Sequence, residues 1–142
     1  MKFSIILTPI FTLVIVQALK LAFDGIKGNF NLKTLINTYG GMPSSHTAFV
    51  VSLTAIVGFK EGINSTLFAI CVIFSLLIIS DAWIFRRHVG RYGRAILRII
   101  KLLPEQERND FPSLDRELGH TFPEILVGAA VGFVIAFIVN LL

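Results

Sequence analysis

The run TLFAICVIFSLLIISDAWIF, residues Thr66–Phe85, decides the fold class of this chain. It is long enough to cross the hydrocarbon core of a bilayer as a helix, which takes about 20 residues. Three further apolar runs lie roughly at Phe3–Phe23, Thr47–Phe59 and Ile125–Leu142. The sequence therefore predicts an all-α integral membrane bundle of about four transmembrane helices, which forms a single membrane domain over residues 1–142.

The composition agrees with this fold class. The 142 residues are 54% hydrophobic and only 15% charged, whereas a soluble domain is about one quarter charged. The 13 Lys and Arg residues outnumber the 9 Asp and Glu residues, which favours anionic lipids or phosphates as partners. No motif combines aromatic and basic residues as RNA-binding motifs do, so we expect no nucleic acid partner. Four short helices form only a small bundle, which is compatible with a homodimer.

Two of the apolar runs leave a choice of interpretation. The first, Phe3–Phe23, could be a signal peptide, but its apolar part is longer than a signal core and no small-x-small cleavage site follows it. We therefore interpret it as a retained helix. The second run is short, and we expect it to begin near Pro43, with Ser44–His46 in its first turn. A tight hairpin at Lys60–Ser65 leads into the third run.

The polar segment after the third run begins with a basic amphipathic pattern. Five basic residues are spaced 4, 3, 4 and 3 residues apart, namely Arg87, Arg91, Arg94, Arg98 and Lys101. At about 100° per residue they share one face of a helix, opposite an apolar face. The pattern predicts an interfacial helix on the membrane surface, ended by Pro104. A solvated polar face accounts for most of this pattern, and binding of anionic membrane lipids is a further hypothesis.

Two polar stretches precede apolar runs, and each contains a histidine. They are Gly40-Gly41-Met42-Pro43-Ser44-Ser45-His46 and Gly119-His120-Thr121-Phe122-Pro123-Glu124. A helix start offers free backbone N–H groups and about half a positive charge, which suits a phosphate. Charged residues near bilayer depth are often functional, and an up-and-down path places Lys20, Asp81 and Glu124 near one membrane face. Together these features predict a phosphoryl-transfer site at a membrane surface.

Each residue of this candidate site also has a structural interpretation. Ser44 could be only a helix cap. Because Thr121 and Glu124 fit the capping box, Glu124 either caps its helix or orients a histidine. Gly128 and Gly132 are interpreted as plain helix packing. The cationic residues could simply extend toward lipid headgroups, which applies to Lys20, Arg86 and Arg87.

The order of these motifs resembles a known superfamily. Pro43-Ser44-Ser45-His46 resembles the Pro-Ser-Gly-His motif of the type-2 phosphatidic acid phosphatase and vanadium-dependent haloperoxidase superfamily. His120-x-x-x-Glu124 resembles the His-x-x-x-Asp half of its last motif. With Asp81-Ala82, Arg86-Arg87-x-x-Gly90 and Gly119-His120-Thr121, the pattern is closer to a short membrane branch, the divergent type-2 phosphatidic acid phosphatase-related family. The resemblance spans nearly the whole chain.

The resemblance implies a phosphatase that needs neither metal nor cofactor and hydrolyses a lipid phosphate or pyrophosphate. By matching position, His120 would be the nucleophile that forms a phosphohistidine, with Glu124 orienting its ring. His46 would protonate the leaving oxygen. Asp81 is a candidate site or structural residue. The phosphate-binding residues would be Lys20, Ser44, Ser45, Arg86 and Arg87.

One part of the superfamily pattern is missing from this chain. Ser113 and Leu114 stand where the last motif has Ser-Arg, so Arg86, Arg87 or Arg116 would have to replace that phosphate-binding arginine. An alternative function is therefore kept, a non-catalytic phospholipid-binding or lipid-transport membrane protein that uses the same cationic pocket.

The distribution of basic residues predicts the orientation. With four spans, the Asp24–Met42 loop and the Arg86–Phe122 segment lie on one side of the membrane and hold ten Lys and Arg residues. The other side holds Lys2 and Lys60. Cytoplasmic loops carry the excess of Lys and Arg. We therefore expect a protein of the bacterial cytoplasmic membrane, with both termini outside and the candidate site facing the cytoplasm.

Overall fold

The computed structural model describes residues 2–26, 42–108, 111 and 121–142, and these are helical apart from short turns. The described part contains no strand, so the predicted all-α fold is confirmed. In chain order the elements are α1 (Lys2–Ile26), α2 (Ser45–Glu61), α3 (Thr66–Ser80), a π-helical turn (Asp81–Phe85, hereafter the π turn), α4 (Arg86–Ile100), α5 (Glu105–Arg108) and α6 (Phe122–Leu141).

Three stretches of helix are long and apolar enough to cross a membrane. They are Ser4–Ala22 within α1, the run Thr66–Ile100, and Phe122–Leu141. With 17 residues, α2 lies at the lower limit of spanning helices, which is about 17 residues. It is nevertheless the central helix, because it contacts α1, α3 and α6. The expected count of about four spans, with α2 as one of them, remains a prediction.

Local capping determines where α2 and α3 begin and where α2 ends. Ser44 has an extended backbone, and its Oγ accepts a hydrogen bond from Thr47 N, so α2 begins directly after it. Gly62 has a φ of 88°, a conformation that glycine adopts without a steric penalty and that ends the helix. Ser65 Oγ then accepts the N–H of Phe68 and caps α3. The predicted start near Pro43 and the predicted tight hairpin are confirmed.

Hydroxyl groups join α2 to α3 inside the bundle. Thr54 Oγ1 and Ser75 Oγ lie 2.7 Å apart, and Ser75 Oγ donates to Val50 O at 3.1 Å. Closer to the hairpin, Gly58 faces the ring of Phe68. Val50 contacts Ser75, whereas Gly58, further along α2, contacts Phe68, which comes earlier in α3. The two helices are therefore antiparallel. The π turn that follows α3 therefore lies at the end of the bundle where α2 begins.

Two glycines allow α6 to pack very closely against α2. A Cβ atom built on Gly128 would lie 2.5 Å from Ser44 O, and one built on Gly132 would overlap Ala48 O. The higher-numbered glycine meets the higher-numbered residue of α2, so these helices are parallel and begin at the same end. The interpretation of both glycines as helix-packing residues is confirmed, since small residues let membrane helices approach closely.

A stripe of residues at four-residue spacing packs α1 into the bundle. Thr8, Thr12 and Val16 are fully buried, and α1 contacts both α2 and α6. The two threonine hydroxyls donate to the carbonyls of Ser4 at 2.6 Å and of Thr8 at 2.9 Å. Their polar groups are thus satisfied within the helix. Lys20 is half-buried and continues the same spacing. This packing joins α1 to the rest of the bundle.

The basic segment forms α4 in direct continuation of α3 and the π turn, where the sequence predicted a separate helix. It ends at Ile100, four residues before Pro104, because proline has no N–H to donate to the carbonyl of Ile100 and its ring clashes with that carbonyl. The Arg108 side chain donates hydrogen bonds to Lys101 O at 2.9 Å and Leu103 O at 2.8 Å. The bond to Lys101 O satisfies a carbonyl group that the helix end leaves unpaired.

Candidate functional site

A backbone hydrogen bond joins the beginnings of α2 and α6. Ser44 N donates to Glu124 O at 3.1 Å, where Ser44 is the cap of α2 and Glu124 lies in the first turn of α6. Since the helices are parallel, their N-termini lie side by side, each with about half a positive charge. The two polar stretches that the sequence singled out are thus in direct contact.

The Ser44 hydroxyl is used within the chain. Ser44 is fully buried, and its Oγ lies 3.5 Å from Thr47 N and 3.0 Å from Thr47 Oγ1. Its role as a helix cap is therefore observed. A direct contact between Ser44 and phosphate remains a prediction.

The Ser45 hydroxyl is different, because the described chain does not use it. Ser45 is the first residue of α2 and is 6% exposed. Its Oγ is buried and has no hydrogen-bond partner within the part of the chain that the structure describes. A buried polar atom without a partner costs about 1–3 kcal/mol. The start of α2 therefore holds a hydroxyl with unused hydrogen-bonding capacity.

His46 and Lys20 lie on two different helices. His46 is exposed in the first turn of α2, next to Ser45. Lys20 lies on α1, on the face that carries Thr12 and Val16 toward the bundle. The structure thus places His46 at the joined helix starts, and Lys20 on a helix that packs against both α2 and α6.

The π turn is the third element at this end of the bundle. The ring of Trp83 lies 5.8 Å from the ring of Phe122, the first residue of α6, with an angle of 50° between the planes. Ala82 is buried and Asp81 is half-buried. Single π-helical turns within α-helices frequently occur at functional sites. The sequence did not predict this turn, because no local pattern in Asp81–Phe85 marks a π-helical turn.

Glu124 caps α6 with its side chain. Its Oε2 accepts the N–H of Thr121 at 2.9 Å, as the Thr121–Glu124 spacing predicted. A carboxylate has two oxygens with about four lone-pair positions, so capping is compatible with a bond to a histidine ring. The orienting role remains a prediction, because His120 lies outside the described residues.

The arginines of the candidate site are described only in part. The backbone of Arg86 and Arg87 opens α4 directly after the π turn, while their side chains lie outside the described part of the chain. Ser113, Leu114 and Arg116 also lie outside it. The predicted residues that the structure does bring to one end of the bundle are Ser44, Ser45, His46, Asp81 and Glu124.

Comparison with known proteins reveals relatives of the whole chain. The family described as "Divergent PAP2 family" matches residues 1–135. The chain is also 28% identical over 144 residues to the "Uncharacterized membrane protein YuiD" of Bacillus subtilis (strain 168), which covers 94% of this chain and 91% of that protein. No solved structure matches significantly. The family match confirms the resemblance of the motifs, and this integral membrane protein belongs to the Divergent PAP2 family.

Proposed function

We propose that the protein is a membrane phosphatase that hydrolyses a lipid phosphate or pyrophosphate where α2 and α6 begin. The observation that carries this proposal is the 3.1 Å hydrogen bond from Ser44 N to Glu124 O. Because this bond holds two helix N-termini together, their partial positive charges and N–H groups act on the same small volume. The region in front of the two N-termini therefore suits a phosphoryl group, whose oxygens are negatively charged.

The buried hydroxyl of Ser45 supports the same assignment. Its Oγ has no partner among the described residues, and a phosphate oxygen at the start of α2 would supply one. Ser44 N is already bonded to Glu124 O. The backbone donors for phosphate would therefore be those of the first turn that follows Ser44.

In the proposed reaction, a ring nitrogen of His120 attacks phosphorus and the bond from phosphorus to the leaving oxygen breaks. His46 donates a proton to that oxygen. A water molecule then attacks the phosphohistidine, its proton passes to His46, and the P–N bond breaks to release inorganic phosphate. Glu124 holds the second ring nitrogen of His120. The negative charge of the transferring group is balanced by Lys20, Arg86 and Arg87.

The location of the site is part of the proposal. The basic helix α4 follows the π turn directly, and the π turn contacts the start of α6. The excess of Lys and Arg on this side supports a cytoplasmic position in a bacterial cytoplasmic membrane. The charged head of the substrate would reach the site from the inner leaflet, while its tail stays in the bilayer.

Release of phosphate from a panel of lipid phosphates and pyrophosphates tests the function. The purified protein should hydrolyse at least one of them, vanadate should inhibit it, and His120→Ala should reduce the rate to background. His88→Ala is the matched control, since His88 is exposed on α4 and has no proposed role. Binding without hydrolysis, equal in the unmodified protein and His120→Ala, would instead support a non-catalytic phospholipid-binding or lipid-transport protein.

A further inference from the structure

The apolar face of α4 is uncovered in the described structure. Tyr92 is 66% exposed, Ile99 62% and Ile96 46%. The main contacts of α4 are with the adjacent π turn rather than with the rest of the bundle. Because α4 continues directly from the apolar helix α3, it begins where the chain leaves the hydrocarbon core. An exposed apolar face opposite a basic one suits the boundary between headgroups and acyl chains when the helix lies along the membrane surface.

The opposite face of α4 is cationic. Arg94, Arg98 and Lys101, together with Leu97, line an open depression of about 180 Å³. The exposed Arg91 lies on the same face one turn earlier, and Arg86–Ile100 contains no acidic residue. The walls of this depression are mainly apolar, as the side-chain stems of Arg and Lys are, and the positive charges of these side chains attract anionic headgroups. The acidic residues nearest in the chain on the C-terminal side, Glu105 and Glu107, belong to α5 beyond the helix end.

We propose that α4 binds anionic phospholipid of the leaflet beside the candidate site. Its apolar face inserts among the acyl chains, and Arg91, Arg94, Arg98 and Lys101 contact the headgroups. Charge complementarity selects this partner, since each basic side chain near an anionic surface strengthens the attraction by about fivefold. The proposal concerns binding alone, so it does not depend on whether the protein hydrolyses phosphate.

Fluorescence quenching by brominated lipids tests this surface. Trp83→Phe removes the single tryptophan and keeps a ring opposite Phe122, and Tyr92→Trp then places a reporter on the apolar face of α4. The protein is embedded in nanodiscs of phosphatidylcholine with a minority of phosphatidylglycerol, and either lipid carries the bromine atoms. Brominated phosphatidylglycerol should quench the reporter several-fold more per lipid molecule than brominated phosphatidylcholine does.

Three comparisons show whether the preference comes from the basic face. Replacing Arg91, Arg94, Arg98 and Lys101 by Gln should abolish the preference, whereas replacing the three arginines by Lys should retain it. Lys60→Gln is the matched control, because Lys60 lies at the hairpin at the other end of α2. The proposal would be overturned if both brominated lipids quenched the reporter equally per lipid molecule in the protein with native basic residues. It would also be overturned if the preference for phosphatidylglycerol survived the four Gln replacements.

Salt provides a test that needs no change to α4 beyond the reporter. Raising the ionic strength from about 0.1 M to about 1 M shortens the Debye length from about 10 Å to about 3 Å. The preference for phosphatidylglycerol should then fall strongly. If it is unchanged, headgroup charge is not what α4 recognises, and the proposal fails even if the Gln variant does not fold.

Discussion

Ser44 and Ser45 are neighbours in the sequence, yet their hydroxyls have different roles in the structure. The Ser44 hydroxyl caps α2 and contacts Thr47, whereas the Ser45 hydroxyl is buried without a partner among the described residues. A cap contributes to stability in the absence of any ligand. A buried hydroxyl without a partner lowers stability until a ligand or water bonds to it. The two serines can therefore be separated by experiment.

We expect Ser44→Ala and Ser45→Ala to have different effects. Ser44→Ala should lower the free energy of unfolding by about 1 kcal/mol, because α2 loses its cap. Ser45→Ala should leave that free energy unchanged or slightly higher, but should weaken inhibition by vanadate about tenfold to 100-fold, since a hydrogen bond to a charged group is worth about 1.5–3 kcal/mol. Thermal unfolding in detergent and vanadate titration measure the two effects. Equal loss of stability in both variants would show that Ser45 is a structural residue.

Glu124 has structural contacts and also a proposed role in catalysis. Its side chain caps α6, while its carbonyl accepts the hydrogen bond from Ser44 N. The spacing from Thr121 predicts the capping bond. It cannot predict the backbone bond, which depends on how α2 and α6 pack against each other.

Glu124→Gln should separate capping from the orientation of His120. Glutamine keeps an oxygen that can accept from Thr121 N, so the free energy of unfolding should change by less than about 1 kcal/mol. The loss of the negative charge beside His120 should slow phosphate release by roughly 100-fold or more. The two measurements are the unfolding midpoint and the rate of phosphate release. Phosphate release at the unmodified rate would indicate that Glu124 acts only as a cap.

At the scale of the elements, the close contact between α2 and α6 determines the geometry of the site. Gly128 meets Ser44 and Gly132 meets Ala48, in both cases at backbone atoms that cannot rotate away. The small residues at four-residue spacing predict such packing, but they do not reveal which helix is the partner. The contacts with Ser44 and Ala48 identify α2 as that partner.

Adding a methyl group at either glycine should therefore force the two helices apart. Gly128→Ala and Gly132→Ala should each lower the free energy of unfolding by about 1–3 kcal/mol. Gly128→Ala should reduce phosphate release more strongly, because it displaces Ser44 and hence the start of α2. Ala130→Leu, at an exposed position of the same helix, is the control and should have little effect. Normal stability and activity in both Ala variants would contradict the observed packing.

Local sequence patterns predict the elements better than they predict the connections between them. The Ser44 cap, the Lys60–Ser65 hairpin and the basic pattern of α4 are each encoded in a few neighbouring residues, and each was predicted. The continuity of α3 with α4 was not predicted, because the π turn has no sequence signature and its Trp83 contacts Phe122, which is distant in the chain. The unsatisfied state of Ser45 depends on burial by other helices and was equally unpredictable.

At the scale of the whole molecule, the distribution of charge predicts the orientation in the membrane. Single cysteines at Asn64 and Glu107, in a Cys71→Ser background, test it in intact cells with a thiol reagent that does not cross the membrane. Both positions are exposed, and Asn64 avoids the cap formed by Ser65. If the basic side faces the cytoplasm, as we propose, position 64 should react and position 107 should not. The reverse pattern would overturn the orientation, and equal reaction would contradict four spans.

The central claim is that the joined starts of α2 and α6 form a phosphoryl-transfer site. Trapping the covalent intermediate tests it most directly, by rapid alkaline denaturation after mixing with a lipid phosphate that carries a radioactive phosphoryl group. We expect a phosphohistidine at His120 in the unmodified protein. It should also form in His46→Ala from substrates with good leaving groups, with turnover roughly 100-fold slower or more, and be absent from His120→Ala. The account would be contradicted if the protein hydrolysed substrates but none of them labelled it. Equal labelling of His120→Ala would also contradict it.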